Sequence, residues 1–133
     1  MKGHPIYKGS IRGPFNIAQK DDLLVARLRE LGAIIFGTTV MVEGGVSPLG
    51  YNAMWKGPFN PYSTSRFSGG SSSGSAVSVA TGLVPAAIGF DGGGSIRVPC
   101  AMSGLHGLGG TFGRIPFDAD SVHSTMIKVC NYM

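Results

Sequence analysis

Two short loops rich in glycine and serine constrain the fold of this chain more than any other feature. Residues 69–75 read Gly-Gly-Ser-Ser-Ser-Gly-Ser, and residues 91–95 read Asp-Gly-Gly-Gly-Ser. Glycine has no Cβ, so the backbone in these loops can turn tightly and approach other groups closely. Loops between regular elements often carry binding and catalytic groups. Both loops are therefore candidate parts of a functional site.

The composition is typical of one globular domain spanning residues 1–133. The chain is 43% hydrophobic, which gives it enough apolar side chains for a core. Its 11 basic and 7 acidic residues leave a net charge of +4 and form no run of like charge. This spread argues against a nucleic acid partner, which would require a basic patch that follows the phosphates.

Cysteine usage and hydropathy exclude further classes. Cys100 and Cys130 are too few and too widely separated for a metal site, so we expect neither a metal nor a cofactor. No apolar stretch has the length of a membrane span. The cytoplasm is the favoured compartment, and the sequence leaves the oligomeric state open.

A helix followed by a strand is predicted in the first half of the chain. Asp21 and Asp22 precede leucines at helical spacing, and Gly32 supplies the stop. Residues 33–36, Ala-Ile-Ile-Phe, predict a short buried strand. Between residues 42 and 67 proline and aromatic residues follow no period, which predicts a long loop. A helix followed directly by a strand favours an α/β fold.

Regular elements are also predicted on both sides of each glycine loop. Residues 75–81 are small and apolar and end at Gly82, which predicts a helix packed closely against other backbone. Residues 85–90 predict a second strand, and Pro99 is well placed to open a short helix.

The first loop alone is open to several interpretations. A flexible serine-rich linker is one. A phosphate-binding loop is another, but it requires lysine after the second glycine, where this chain has Ser75. Residues 70–74 also match the G-x-S-x-G nucleophile pattern with Ser72 at its centre. That triad would be completed from His106 or His123 with Asp118 or Asp120.

The second loop is more restrictive. Three glycines followed by Ser95 can turn several backbone N–H groups toward one point beside the serine hydroxyl. Such a cluster stabilises an oxyanion, and removing one donor typically costs about 3 kcal/mol of transition-state stabilisation. A glycine turn joining a strand to a helix is the structural alternative.

Considered jointly, the two loops and their surroundings share the pattern of one known family. The pattern comprises residues 69–75, the helix and strand predicted over residues 76–90, and residues 91–99, Asp-Gly-Gly-Gly-Ser-Ile-Arg-Val-Pro. Together they closely resemble the amidase signature family, and most of all its fatty-acid-amide-hydrolase-type and general amidases. The resemblance implies an α/β fold with a mixed β-sheet core covered by helices. Residues 1–133 would form a partial amidase signature domain, truncated at both ends.

The family cleaves carboxamides with a Ser, cis-Ser, Lys triad, and the match assigns roles to residues of both loops. Ser95 corresponds to the nucleophile, and Ser71 corresponds to the bridging serine that follows a cis peptide bond. Ser72 corresponds to a supporting hydrogen-bonding residue. The remaining assignments are an oxyanion hole at Gly92, Gly93 and Gly94 and two residues that hold the loop, Asp91 and Arg97. The implied partner is a small-molecule amide substrate.

Two departures from the family pattern bear on activity. The family's catalytic lysine precedes a Lys-Gly-x-Pro element that begins here at Lys2, so its position falls before Met1. Lys2 and Lys8 match non-catalytic positions. Residues 109–111, Gly-Gly-Thr, stand where the family has Lys-Pro-Thr. The sequence therefore predicts an amidase-type hydrolase without its lysine in this chain, and the alternative is an inactive remnant acting as a binding or partner module.

Overall fold

The computed structural model describes residues 1–111 and 114–115, together with the backbone of residues 130–132. Helices and short strands are interspersed along it, as expected of a piece of an α/β fold. In chain order they are α1 Leu23–Glu30, β1 Phe59–Asn60, β2 Ser63–Phe67, α2 Ser73–Ala80, β3 Ile88–Phe90, α3 Arg97–Met102 and β4 Cys130–Tyr132, with a 3-10 turn at Glu43–Gly45. Strands β1 and β2 pair antiparallel, as do β3 and β4. Among the described helices, none is long and apolar enough to cross a bilayer.

Helix α1 confirms the first predicted helix and its boundaries. The Asp22 side chain accepts a hydrogen bond from the Leu24 N–H at 3.0 Å, which satisfies one of the free donors of the first turn. Gly32 follows the helix with φ of 84°, a conformation that glycine adopts without steric penalty. Asp21 links α1 to the start of the chain, because it accepts from the Lys2 backbone N–H and pairs with Arg29.

The strand predicted at residues 33–36 is wrong. Within the described part of the chain these residues belong to no strand, and the side chains of Ile34 and Phe36 are 94% and 80% exposed. An apolar run indicates a preference for burial, but a strand also requires a neighbour to pair with its N–H and C=O groups. No described segment supplies one.

The long loop predicted over residues 42–67 is also partly wrong, because it contains the β1–β2 hairpin. Asn60 holds this hairpin in place. Its amide group donates to the Phe67 carbonyl at 3.2 Å and to the Met102 carbonyl at 2.8 Å, and its oxygen accepts from the Tyr62 N–H. The contact with Met102 joins residues forty-two positions apart, so local patterns do not reveal it.

The elements around the glycine loops largely agree with the sequence. Helix α2 begins two residues before the predicted start, and β3 occupies only the last part of the predicted strand. Helix α3 begins at Arg97, so Pro99 is its third residue, where the missing N–H has no helical partner to lose.

The core is small and rich in polar groups, and it is formed by residues within and next to the two loops. Its fully buried side chains include Ser68, Ser73, Ala76, Asp91, Ile96, Cys100 and Ser103.

Candidate active site

The two glycine loops meet through their backbones. The N–H of Ser72 in the first loop donates to the Ser95 carbonyl in the second at 3.1 Å. The Ser72 hydroxyl also accepts from the Phe90 N–H at 3.1 Å, at the end of β3. Gly89 permits this approach, because a Cβ there would lie 2.8 Å from the Ser72 Oγ. Each loop leads directly into a helix, so the junction is held between α2, β3 and α3.

A buried carboxylate closes the second loop on itself. Asp91, with 1% of its surface exposed, accepts hydrogen bonds from the backbone N–H groups of Gly94, Ile96 and Arg97 at 2.6–3.2 Å. The Arg97 guanidinium adds two more, at 3.0 and 3.1 Å. Asp91 and Arg97 therefore close the second loop by hydrogen bonds.

The ionisation of Asp91 follows from these contacts. Burial by itself would raise the pKa of Asp91, but the Arg97 side chain and the three backbone donors outweigh it and lower the pKa to about 2. Asp91 is thus a carboxylate at neutral pH. The nearby Cys100 thiol is buried, and burial together with the Asp91 charge raises its pKa. That thiol is poorly suited to act as a nucleophile.

Ser71 lies buried where a third segment approaches the first loop. The Gly70–Ser71 peptide bond is cis. The Ser71 carbonyl accepts from the Val42 N–H at 3.1 Å. The turn at Glu43–Gly45 lies beside the Ser71 hydroxyl, since a Cβ on Gly45 would lie 3.5 Å from the Ser71 Oγ.

The serine hydroxyls of the site differ in their partners. Ser72 is bonded to Phe90, and Ser75 donates to the Ile88 carbonyl at 2.8 Å. Among the described residues, the hydroxyls of Ser71 and Ser95 have no hydrogen-bond partner. The fully buried Ser73 hydroxyl also has none within that part of the chain. Ser95 is half-buried.

The glycines of the second loop do not all match the predicted oxyanion hole. Gly92 and Gly93 are exposed, and in the described chain their N–H groups and that of Ser95 make no hydrogen bond. The N–H of Gly94 instead donates to Asp91 at 2.6 Å. Its expected role as an oxyanion donor is therefore corrected, because an N–H held this closely by a carboxylate is not available to a second anion. Gly94 helps to close the loop.

The alternative triad centred on Ser72 gains no support. The Ser72 hydroxyl is bonded to the backbone of β3, and no hydrogen bond joins it to His106 in the part of the chain described. The other expected members, Asp118, Asp120 and His123, lie outside the described residues. No lysine in the described ranges bonds to Ser71 or Ser95.

Sequence reasoning missed one residue that shapes the site, Asn52. It is 2% exposed, and its amide nitrogen donates to the carbonyls of Gly9 and Met41. Met41 directly precedes Val42, whose N–H donates to the Ser71 carbonyl. Asn52 forms an isolated antiparallel bridge with Gly57. An asparagine five residues before a glycine is a weak local pattern for such a turn. Nearby aromatic side chains pair with one another, Tyr51 with Phe59 and Tyr7 with Trp55.

This arrangement of loops recurs in known proteins. The family model described as Amidase matches residues 1–121. The chain therefore belongs to the amidase family, whose members hydrolyse amides.

Individual relatives agree with this membership. The chain is 48% identical to the fatty acid amide hydrolase of Arabidopsis thaliana over 96 residues, which cover 72% of this chain and 16% of that protein. It is 38% identical to the indoleacetamide hydrolase of Pseudomonas syringae pv. syringae, over 86% of this chain and 26% of that protein. A crystal structure of an amidase superposes with a TM-score of 0.81 at 37% identity, over 89% of this chain and 27% of that one. The chain thus spans about a sixth to a quarter of these relatives.

Proposed function

We propose that this chain carries the nucleophile and proton relay of an amide hydrolase that cleaves carboxamide C–N bonds. The observation that carries the proposal is the 3.1 Å hydrogen bond from the Ser72 N–H to the Ser95 carbonyl. It joins two loops in which Ser71 and Ser95 retain unpartnered hydroxyls while the Ser72 hydroxyl is engaged. A nucleophile and a relay both require a hydroxyl that no structural contact occupies.

In the proposed reaction the Ser95 Oγ attacks the carbonyl carbon of the amide. Its proton passes to the Ser71 Oγ, which gives its own proton to a neutral lysine amine. The oxyanion that forms accepts hydrogen bonds from the free N–H groups of Gly92, Gly93 and Ser95. The C–N bond then breaks, the leaving amine takes up the proton, and water hydrolyses the acyl ester on Ser95.

Three further residues support this chemistry without touching the substrate. Ser72 fixes the first loop to β3, and Asp91 with Arg97 fixes the second. The lysine is proposed to lie outside residues 1–133. No metal or cofactor takes part in the scheme.

The proposed substrate is a small carboxamide with an apolar acyl group. The names of the two relatives above describe amides of a fatty acid and of indoleacetic acid, so both acyl parts are apolar. Lipophilic and aryl-acetyl amides are therefore the first substrates to test.

A fluorophosphonate probe tests the nucleophile, because it forms a stable adduct only with an activated serine. We expect the adduct on Ser95 when ethylamine is supplied as a substitute base, with mass spectrometry of peptides locating it. Ser95→Ala should abolish it. Ser78→Ala is the control, since its hydroxyl donates to the Ser75 carbonyl within α2. An adduct that persists in Ser95→Ala contradicts the assignment.

A second candidate is a catalytically inactive module that binds an anion. The observation in its favour is that the N–H groups of Gly92, Gly93 and Ser95 make no hydrogen bond among the described residues, while no described lysine hydrogen-bonds to Ser71 or Ser95. Such a module would bind acetate or phosphate, measurable by calorimetric titration, and form no adduct at any amine concentration.

A further inference from the structure

Asn52 makes four hydrogen bonds in a nearly fully buried position. Its amide nitrogen donates to the Gly9 carbonyl at 2.6 Å and to the Met41 carbonyl at 2.7 Å. Its amide oxygen accepts from the N–H groups of Met54 and Trp55 at 3.0 and 3.2 Å. The bonding capacity of the side chain is therefore filled, and its orientation is fixed.

One of these bonds reaches the first loop through a single peptide group. The Met41 carbonyl and the Val42 N–H belong to the same peptide unit. The Asn52 side chain donates to the Met41 oxygen of this peptide at 2.7 Å, and the Val42 N–H of the same peptide donates to the Ser71 carbonyl at 3.1 Å. Asn52 therefore holds this peptide group on one side, and the peptide group holds the Ser71 carbonyl on the other.

The same pattern continues through the next two peptide groups. The Ser71 carbonyl shares a peptide with the Ser72 N–H, which donates to the Ser95 carbonyl at 3.1 Å. The Ser95 carbonyl in turn shares a peptide with the Ile96 N–H, which donates to Asp91 at 3.2 Å. Three peptide groups from separate segments thus form one line between an amide donor and a carboxylate.

We propose that Asn52 is a positioning residue that sets the relative placement of Ser71 and Ser95 through this line of three peptides. Every bond in the line runs in the same sense, so each peptide is polarised by its neighbours and strengthens the next bond. The charged acceptor, Asp91, lies at one end, and a fixed side-chain donor lies at the other. The inference rests on the proposed function for its catalytic meaning, but the line itself is a property of the fold.

Asn60 provides a matched control. It is also a buried asparagine whose amide nitrogen donates to two carbonyls and whose oxygen accepts a backbone N–H. Its contacts hold the β1–β2 hairpin and include no member of the line. Asn52→Asp and Asn60→Asp therefore remove the same donors from similar sites without changing side-chain size.

The test is an NMR comparison of this chain and the two variants. In the unmodified chain we expect scalar couplings across the hydrogen bonds from the Val42 nitrogen to the Ser71 carbonyl carbon and from the Ser72 nitrogen to the Ser95 carbonyl carbon. In Asn52→Asp both couplings should weaken, and amide exchange at Val42 and Ser72 should accelerate roughly tenfold or more, the change that about 1.4 kcal/mol produces. Asn60→Asp should leave both amides unchanged.

Two results would overturn the proposal: absence of these couplings in the unmodified chain, or equal effects of the two variants on the Ser72 amide. If Asn52→Asp fails to fold, Asn52→Ala replaces it, since alanine puts no carboxylate against the two carbonyl oxygens. None of these readouts requires activity. Failure here leaves the Ser95 adduct test intact, and failure of that test leaves the line of peptides intact.

Discussion

At the scale of single residues, Asp91 determines the conformation of the second loop. Five donors converge on its carboxylate, and three of them are backbone N–H groups within six residues of it. A loop with three consecutive glycines has high conformational entropy when unfolded, so it needs such a centre to hold one conformation. This centre engages the N–H of Gly94, whereas the N–H groups of Gly92 and Gly93 make no hydrogen bond within the described residues.

The acid stability of the chain should reflect Asp91. Its folded pKa of about 2 lies below the ordinary value of 3.8, so the stabilisation is complete above pH 3.8 and is lost as pH falls through 2. The linked free energy of unfolding is on the order of 2 kcal/mol. Asp91→Asn should lose about this much at pH 7 and show a flatter acid dependence, measured by urea unfolding between pH 2 and 7.

Glu30→Gln is the control for this measurement. Glu30 pairs with Arg27 on the surface, where both side chains are well exposed. Such a pair contributes about 0–1 kcal/mol, so the variant should unfold close to the unmodified chain. An acid dependence of Asp91→Asn as steep as that of the unmodified chain would contradict the role of the carboxylate.

At the scale of elements, the site depends on how closely α2 approaches the segment before the 3-10 turn. The Gly74 N–H donates to the Val40 carbonyl at 2.9 Å, and a Cβ on Gly74 would lie 2.6 Å from that oxygen. Thr39 and Ser75 add a hydroxyl contact of 2.8 Å beside it. This contact places the Met41–Val42 peptide within reach of Ser71.

Gly74→Ala should therefore destabilise the chain despite the better helix propensity of alanine. Overpacking of this kind costs about 1–3 kcal/mol. Gly37→Ala is the control, because a Cβ there meets no atom within 4 Å and its φ is not positive. Its free energy of unfolding should change by no more than about 0.5 kcal/mol. Equal thermal unfolding of the two variants would show that the close approach is not required.

The elements that the sequence predicted well are those governed by local signals. Helix α1 was predicted from Asp22 and Gly32 at its ends, and α2 from small residues between glycines. The β1–β2 hairpin was missed because Asn60 holds it through Met102, forty-two residues away. Asn52 was missed for the same reason, since its partner Gly9 is forty-three residues away. The loop motifs identified the candidate serines, but the hydrogen bond from Gly94 to Asp91 depends on the folded conformation of the loop, which the motif does not specify.

At the scale of the whole molecule, the exposed apolar segment at residues 33–36 stands out. It carries the exposed side chains of Ile34 and Phe36, and no described strand pairs with it. Exposed apolar surface of this kind promotes association between chains.

The double variant Ile34→Thr, Phe36→Thr should reduce self-association of the isolated chain. Sedimentation velocity at increasing protein concentration measures this directly. Leu83→Thr is the control, because Leu83 is also an exposed apolar residue but lies after α2, outside the segment at residues 33–36. A similar decrease in association for the control would indicate a general effect of hydrophobicity rather than of this segment.

The most direct test of the account is whether Ser71 relays a proton between Ser95 and a base. With ethylamine in place of the lysine, fluorophosphonate labelling of Ser95 should rise with the concentration of free amine by roughly a hundredfold or more, the usual contribution of a general base. Ser71→Ala should remove this dependence on amine, whereas Ser78→Ala should retain it. Labelling of Ser95 that rises equally with amine in Ser71→Ala would contradict the relay, and absence of any Ser95 adduct would contradict the nucleophile.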